Sequence, residues 1–348
     1  MLAMPDPNNV LPGELLKATS RSFYLTLRVL PAAVRPQIGL AYLLARTTDT
    51  IADTEIIPLA QRLEALQKLR ERILGQSSAP LNFGALAEQQ GSPAEKLLLE
   101  KTEASLAVIQ NFTANDQKSI RDVLATITGG QELDLRRFAG ASAENVVPLE
   151  TAAELDDYTY RVAGCVGEFW TKICRAHLFP EARLDENRFV TDGIRFGKGL
   201  QLVNILRDLP ADLKAGRCYL PSQRLDELKL WPETMMSPAN EQKFLPLFHD
   251  YLDKAESHLA AGWRYTNTLP FGQFRVRLAC AWPILIGVRT IRKLRAAGAI
   301  ELRQRVKVSR GEVRGIIFRS LACSPFPPAW RQLYAPPVKA VDSGGELA

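Results

Sequence analysis

The stretch LLARTTDTIADTE, residues 43–55, carries two aspartates, Asp49 and Asp53, four positions apart. Because four residues are slightly more than one α-helical turn, a helix here presents both carboxylates on one face. Arg46, three residues before Asp49, and Tyr42, four residues before Arg46, fall on the same face. A single pair of this kind is commonly a solvated helix surface, so its meaning depends on the rest of the chain.

A second acidic series lies in GKGLQLVNILRDLPADLKAGRCYLP, residues 197–221. Asn204, Asp208 and Asp212 recur at every fourth position, and Gln201 extends the same helix face. The neighbouring positions are apolar, which predicts a buried helix. Because an isolated buried carboxylate is costly, we expect these acids to share cations.

Oxygen ligands without His or Cys are typical of Mg²⁺, which binds carboxylates, water and phosphate oxygens. Two such helices facing each other across a cavity could hold several Mg²⁺ ions and, through them, a diphosphate. The candidate metal ligands are Asp49, Asp53, Asn204, Asp208 and Asp212. The planar guanidinium group of arginine matches the oxygens of a phosphate. The candidate diphosphate-binding residues are Arg21, Arg46, Gln201, Asn204, Arg207 and Arg217. The apolar surroundings predict a substrate in which a hydrophobic chain is attached to the diphosphate.

Helical periodicity extends over nearly the whole chain, and alternating strand patterns are scarce. The apolar spacing predicts helices over 14–30, 32–54, 59–75, 94–112, 114–129, 150–178, 185–213, 241–267, 271–297 and 309–321. No long linker divides them, so we expect one all-α domain, 14–321, with its helices around a central apolar cavity. Residues 322–348 are proline-rich and predict a partly disordered C-terminal tail.

Composition excludes several classes of protein. The longest strongly apolar run, ACAWPILIGV at 279–288, is about half of the roughly twenty residues that a membrane span needs. The 5 cysteines are scattered and odd in number, which argues against a disulfide framework and favours the cytoplasm. The 3 histidines lack zinc-ligand spacing.

The net charge of +6 is concentrated in one block, where 12 Arg/Lys and 2 acids lie between Arg275 and Arg319. Such a block suits an anionic membrane surface, a phosphate-bearing ligand, nucleic acid or a plain solvated face. It lacks the interleaved aromatic residues of a single-strand binder, so we expect no nucleic-acid partner.

These motifs resemble those of the squalene/phytoene synthase family, enzymes that join two prenyl diphosphates head to head. The resemblance runs from about Thr19 to Arg319, through TSRSFY (19–24), YLLARTTDTIADT (42–54), YTYRVAGCVGEF (158–169) and LQLVNILRDLPADLKAGRCYLP (200–221). It implies the single-domain, all-α isoprenoid-synthase fold and a transferase activity. The family's DxxxD motifs would be Asp49/Asp53 and Asp208/Asp212.

Three segments resemble squalene synthases in particular: ARTTDTIADT (45–54), CAWPILIG (280–287) and VKVSRGEV (306–313). The last is similar to a basic loop associated with NADPH, in which Lys307 and Arg310 would be the cations. The resemblance implies condensation of two farnesyl diphosphates to presqualene diphosphate and then, with NADPH, squalene. A phytoene or dehydrosqualene synthase without NADPH stays open, as does a non-catalytic helical lipid-binding protein.

The chain departs from the family pattern at three positions. Ala52 and Ala211 stand where squalene synthases often carry an acid, and Arg161 stands where animal enzymes have a tyrosine. Tyr158 matches the tyrosine of bacterial relatives, so the resemblance implies Tyr158 or Tyr42 as the catalytic acid/base.

Squalene is too apolar to leave into water, so we expect peripheral contact with the inner face of the membrane. Besides the basic block, Phe326, Trp330 and Tyr334 are spaced by four, and a short helix begun by Pro327 and Pro328 would place the three rings on one side. In the competing interpretation these rings cap the core of the domain. The oligomeric state is not encoded in any motif.

Overall fold

The structure, a computed structural model, describes residues 15, 16, 19, 23–304 and 306–334. The α-helices in chain order are α1 (Phe23–Val29), α2 (Arg35–Asp53), α3 (Leu59–Leu74), α4 (Gly84–Glu88), α5 (Pro93–Glu100), α6 (Thr102–Val108), α7 (Ala114–Arg137), α8 (Ala152–Thr159), α9 (Cys165–Leu178), α10 (Glu186–Lys214), α11 (Ser222–Glu227), α12 (Glu241–Thr268), α13 (Phe274–Arg295), α14 (Ala299–Leu302), α15 (Arg310–Cys323) and α16 (Pro327–Gln332). Short 3₁₀ turns lie at Ile109–Asn111 and Pro238–Asn240, and a π-helical turn spans Tyr160–Gly164. The strands are β1 (Val147–Leu149) and β2 (Arg217–Pro221).

Apolar periodicity located the long helices α2, α3, α10, α12 and α13 to within a few residues. The predicted helix 150–178 is interrupted by the π-helical turn, and the predicted helix 94–112 is two helices and a 3₁₀ turn. The prediction that α7 ends at residue 129 is wrong, since the helix continues to Arg137. The Gly129–Gly130 pair lies inside α7, where Gly130 allows close packing: a Cβ there would lie 2.8 Å from the Cβ of Arg161 on the π-helical turn.

Glycines let α10 pack closely against the π-helical turn and α9. A Cβ on Gly167 would lie 2.0 Å from the carbonyl oxygen of Gly193, and a Cβ on Gly197 would lie 2.1 Å from that of Ala163. Real Cβ atoms do not approach backbone oxygens so closely, so these positions require glycine. The close packing places α10 directly beside the segment that follows Tyr158.

The only sheet within the described residues is a parallel pair of strands, with Val147 opposite Arg217 and Pro148 opposite Cys218. Strand β2 begins just after α10, which runs without a break through Pro210 to Lys214. The turn between them uses Gly216 with φ +79°, and a Cβ there would meet the backbone nitrogen of Ser142 at 2.3 Å. The tight turn fixes where Arg217 lies relative to the acids of α10.

The α1, α10 and α13 helices, with residues 306–308 and α15, enclose a cavity of about 560 Å³. Its walls are mainly apolar and include Leu25, Leu200, Val203, Ile286, Val313 and Ile317. The predicted apolar cavity is therefore present, with Asn204, Arg207 and Lys307 among its polar lining.

The segment after α15 folds back onto the domain. Trp330 on α16 is 1% exposed, stacks 5.5 Å from Trp263, and donates its indole N–H to Asn267 at 3.1 Å. Tyr334 stacks on the same Trp263 at 5.6 Å. Of the two interpretations of these rings, the one in which they cap the core is confirmed for Trp330 and Tyr334, whereas Phe326 is exposed. Residues 335–348, the rest of the expected tail, lie outside the described residues.

Candidate active site

The first acidic motif ends α2 and is oriented by two other helices. The side-chain amide of Gln131 on α7 donates a hydrogen bond to Asp49. Arg46 lies 3.9 Å from Asp49 through Nη1, and its Nη2 lies 2.6 Å from Glu95 on α5. Although burial opposes the effect, the carboxylates of Asp49 and Glu95 raise the pKa of the Arg46 guanidinium.

The second acidic motif lies along the last turns of α10. Asp208 is bound by the neighbouring Arg207, whose Nε donates to Oδ1 at 3.0 Å. One turn earlier, Asn204 lines the apolar cavity together with Arg207, so this motif connects the cavity to the acids. Gln201, predicted on the same face, is half-buried. Burial, with the nearby charge of Asp208, raises the pKa of Asp212 to about 7.

Arg217 joins the two motifs. Its Nη2 lies 2.9 Å from Oε1 of Glu55, which follows the first motif, while Arg217 itself follows the second. Although burial opposes the effect, the nearby Tyr219, Asp134, Glu55 and Asp53 raise the pKa of the guanidinium. The two motifs, which are more than 150 residues apart in sequence, therefore face each other around a shared cation.

A third helix, α7, contributes the carboxylate of Asp134 to the cluster. Its Oδ2 accepts a hydrogen bond from the hydroxyl of Tyr219 at 3.0 Å, and the Tyr219 ring stacks on Tyr158 at 4.5 Å. Its Oδ1 is buried and has no hydrogen-bond partner among the described residues. Burial raises the pKa of Asp134 to about 6.

Acids from three helices act electrostatically on Tyr158. Burial raises the pKa of its hydroxyl well above the usual range, and the charges of Asp134, Asp212 and Asp49 add to the effect. Tyr158 therefore stays protonated at neutral pH and can donate a hydrogen bond.

Asp49 keeps 46% of its side-chain surface accessible, because it opens into the cleft between the helices rather than into packed core. Partial removal from water, with the neighbouring charge of Asp53, nevertheless raises the pKa of Asp49 to about 6. Burial likewise raises the pKa of Asp53. The aspartates of the cleft, Asp49, Asp53, Asp134, Asp208 and Asp212, outnumber its arginines, Arg46, Arg207 and Arg217.

The remaining candidate residues lie in different places. Lys307 and Arg310 are both exposed; Lys307 is part of the lining of the apolar cavity, as are Asn204 and Arg207, and Arg310 begins α15. The Tyr42 hydroxyl donates to the carbonyl of Thr19 at 3.2 Å. Arg21 lies outside the described residues.

The donor atoms fit Mg²⁺ better than a metal with a preformed protein cage. Within the described ranges, no three His, Cys, Asp or Glu side chains are close enough to hold one ion together. An ion here would draw one or two carboxylates from the chain and complete its shell with water or phosphate oxygens, as Mg²⁺ prefers. The buried, unpartnered oxygens Asp134 Oδ1 and Gln131 Oε1 add further oxygen atoms to this all-oxygen set.

Four residues of the site were not predicted from the sequence: Glu55, Glu95, Gln131 and Asp134. Gln131 and Asp134 are three positions apart on α7, so they share a helix face as the recognised acids do. This i, i+3 polar pair in GGQELDL (129–135) is the signal that could have identified them. Glu55 and Glu95 carry no local pattern that separates them from ordinary surface acids.

Comparison with known proteins places this chain among similar sequences and folds. A family model described as squalene/phytoene synthase matches residues 16–312. A presqualene diphosphate synthase of Zymomonas mobilis is 30% identical over 292 residues, covering 83% of this chain and 85% of that protein. The squalene synthase of Saccharomyces cerevisiae is 25% identical over 313 residues, covering 88% of this chain and 66% of that protein. The chain spans only 38–66% of the length of several curated relatives that it matches.

The solved complex of TcSQS with the ligand E5700 has a TM-score of 0.74 to this structure, with 91% of this chain and 86% of that chain covered at 21% identity. This likeness shows a common fold, and the expected all-α isoprenoid-synthase fold is confirmed. Given the family match over most of its length, the chain belongs to the squalene/phytoene synthase family, prenyltransferase-type enzymes of isoprenoid biosynthesis that act on prenyl diphosphates.

Proposed function

We propose that this chain catalyses the Mg²⁺-dependent head-to-head condensation of two farnesyl diphosphates to presqualene diphosphate and then, with NADPH, to squalene. The observation that carries the proposal is the grouping of Asp49, Asp134 and Asp212 around Tyr158, with Arg217 shared between the two acidic motifs. An anionic cleft of this kind beside an apolar cavity suits a substrate with a diphosphate head and a hydrocarbon tail.

The raised pKa values of Asp49 and Asp212 support a cation-binding role. Like charges held together in a partly buried cleft disfavour ionisation until cations compensate them. The ligands from the chain would be Asp49, Asp53, Asn204, Asp208 and Asp212, and Asp134 is a further oxygen donor. Bound Mg²⁺ would supply neutralisation of the diphosphate and so stabilise its departure.

The arginines of the cleft would bind the phosphate oxygens directly. Arg46 is held beside Asp49 by Glu95, and Arg217 is held between the motifs by Glu55. These carboxylates keep the guanidinium groups at the cleft, so little reorganisation is needed when the diphosphate binds. Tyr158 keeps its proton and would donate a hydrogen bond to the departing diphosphate.

The hydrocarbon chemistry would take place next to the cleft. Departure of diphosphate leaves an allylic cation, and the double bond of the second farnesyl diphosphate attacks it to form a carbon–carbon bond. Loss of a proton then closes the cyclopropane ring of presqualene diphosphate. The 560 Å³ cavity lies within the range of about 300–1,000 Å³ common for small-molecule sites. Its apolar walls would keep water away from the cation.

Lys307 supports the reductive half of the proposal. It lines the cavity beside Asn204 and Arg207, where its charge could hold a phosphate of NADPH. Bound NADPH would supply the hydride for reduction to squalene. Arg310, the second cation implied by the family resemblance, remains a candidate for the same ligand at the start of α15.

We also propose that the protein works in the cytoplasm, in peripheral contact with the inner face of the membrane. No helix among the described residues is long and apolar enough to cross a bilayer. A squalene-like product partitions into lipid rather than water, so release of the product favours a catalytic domain that docks on the bilayer.

The test is an extracted assay with farnesyl or geranylgeranyl diphosphate, with and without NADPH and Mg²⁺, analysed by mass spectrometry. We expect presqualene diphosphate from farnesyl diphosphate without NADPH and squalene with it. Phytoene from geranylgeranyl diphosphate, or dehydrosqualene that forms even when NADPH is present, would replace the proposal with those activities. Retained lipid binding without any release of pyrophosphate would favour a non-catalytic lipid-binding protein.

A further inference from the structure

Helix α15 has an exposed apolar stripe. Phe318 is 74% exposed, Leu321 is 47% exposed, and Phe326, three residues beyond the helix end, is 63% exposed. Helical spacing places Arg314, Phe318 and Leu321 on one side of α15. Large apolar side chains grouped in this way mark an interaction surface, whereas isolated ones do not.

The neighbouring face of α15 forms a wall of the apolar cavity. Val313 and Ile317 line that cavity, and so does Leu25 of α1, which is itself 41% exposed. The buried hydroxyl of Ser320 accepts a hydrogen bond from the indole N–H of Trp282 at 2.9 Å, which fastens α15 to α13. The exposed stripe therefore adjoins the face of α15 that lines the cavity, and the cavity wall reaches the surface at Leu25.

The charge around this stripe is positive. Arg314 and Arg319 are exposed next to Phe318. The one acid of α15, Glu312, is already paired with Arg289 at 2.9 Å and Lys293 at 2.7 Å. Exposed aromatic and aliphatic groups beside uncompensated arginines match the boundary between acyl chains and anionic headgroups.

We propose that the outer stripe of α15, made of Arg314, Phe318 and Leu321, together with Phe326 beyond the helix end, is a docking surface for an anionic lipid bilayer. The docking itself rests on exposure and charge alone. Its role in product release rests on the proposed function, because a prenyl product leaving the cavity near Leu25 and α15 would then enter the bilayer directly.

Vesicle flotation without substrate tests the docking. The probes are vesicles of phosphatidylcholine alone and vesicles in which part of it is replaced by phosphatidylserine. The test variant is Phe318→Ser combined with Leu321→Ser. The matched control is Trp231→Ser, because Trp231 is 69% exposed but lies in the acidic segment DELKLWPE (226–233). A third variant, Arg314→Gln with Arg319→Gln, tests the charge.

We expect the wild type and Trp231→Ser to bind phosphatidylserine vesicles equally. The Phe318/Leu321 variant should bind at least about tenfold more weakly, because insertion of these two apolar side chains into the lipid drives interfacial binding. The Arg314/Arg319 variant should lose the preference for phosphatidylserine. Equal melting temperatures establish that the variants are folded. The proposal is overturned if the Phe318/Leu321 variant binds like Trp231→Ser or if the wild type does not bind. It is also overturned if size-exclusion chromatography shows that this pair instead holds two copies together. Pyrophosphate release measured in parallel separates failure of docking from failure of the catalytic proposal.

Discussion

The guanidinium of Arg217 lies 2.9 Å from the carboxylate of Glu55, and this contact joins the ends of the two acidic motifs. Glu55 follows Asp53 at the end of α2, and Arg217 begins β2 immediately after α10 and its turn. The nearby charges of Asp53 and Asp134 also act on Arg217. One cation thus fixes the distance across which a diphosphate would be held.

Replacing Arg217 tests whether this shared cation supports catalysis. We expect Arg217→Gln to lower the rate of pyrophosphate release by about 100-fold, the magnitude typical when one preorganised charge at a transition state is lost. Arg217→Lys should retain part of the activity, because the charge remains while the bidentate geometry is lost. The matched control is Arg224→Gln, which removes a surface arginine paired with Glu227 and Asp250. Equal rates for Arg217→Gln and this control would show that Arg217 is only structural.

Because α9 packs closely against α10, adding one methyl group at Gly167 should strongly destabilise the fold. Gly167→Ala would place a Cβ 2.0 Å from the carbonyl oxygen of Gly193, so backbone must move. We expect a loss of about 2–3 kcal/mol in the free energy of unfolding, measured by urea denaturation. Gly91→Ala is the control, since no atom lies within 4 Å of a Cβ there. A Gly167→Ala protein as stable as the control would contradict the described packing.

His258 predicts a specific loss of stability in acid. Burial and the neighbouring charges of Arg195, Lys254 and Lys198, opposed by Asp156, lower its pKa from 6.5 to about 4. Below about pH 6.5, His258 is protonated in the unfolded chain but stays neutral in the folded protein. This difference lowers the stability of the fold as the pH falls from 6.5 toward 4. Because the side chain is partly exposed, we expect an effect on the order of 1 kcal/mol. Thermal unfolding at pH 7 and pH 5 should show a smaller difference for His258→Gln, and an unchanged difference would refute the assignment.

Lys307 tests the reductive half-reaction separately from the first. If Lys307 binds a phosphate of NADPH at the cavity wall, Lys307→Ala should leave the formation of presqualene diphosphate intact and slow its reduction. Presqualene diphosphate should then accumulate in mass-spectrometric time courses. Lys243→Ala, which changes an exposed lysine on α12, is the control. Equal loss in both halves would indicate a general structural role for Lys307.

The sequence predicted those parts of the site that lie on one regular helix. Asp49 and Asp53 repeat within α2, and Asn204, Asp208 and Asp212 repeat within α10, so helical periodicity alone aligned them. Glu95 reaches the cleft through tertiary packing from a distant segment, which no local pattern encodes. The π-helical turn after Tyr158 was missed for a related reason, since its stability depends on the glycine contacts with α10. The strands β1 and β2 span only 3 and 5 residues, too short for alternation to be recognised.

The position of Trp330 also depends on a long-range contact that local sequence patterns do not encode. Proline content predicted a partly disordered tail, and Pro327 does begin a helix as its fixed φ favours. The destination of the indole ring was not predictable, because Trp263 lies on α12, more than 60 residues earlier in the chain.

The central claim is that acids from both motifs bind the cations that allow a prenyl diphosphate to ionise. The most direct measurement is Mg²⁺-dependent release of pyrophosphate from farnesyl diphosphate by the wild type, Asp53→Asn and Asp208→Asn, with the exposed Asp226→Asn as the matched control. We expect release that requires Mg²⁺, falls by at least about 100-fold in each motif variant, and is unchanged in the control. Near-normal release by Asp53→Asn or Asp208→Asn at ordinary Mg²⁺ concentrations, or equal release without Mg²⁺, would contradict it.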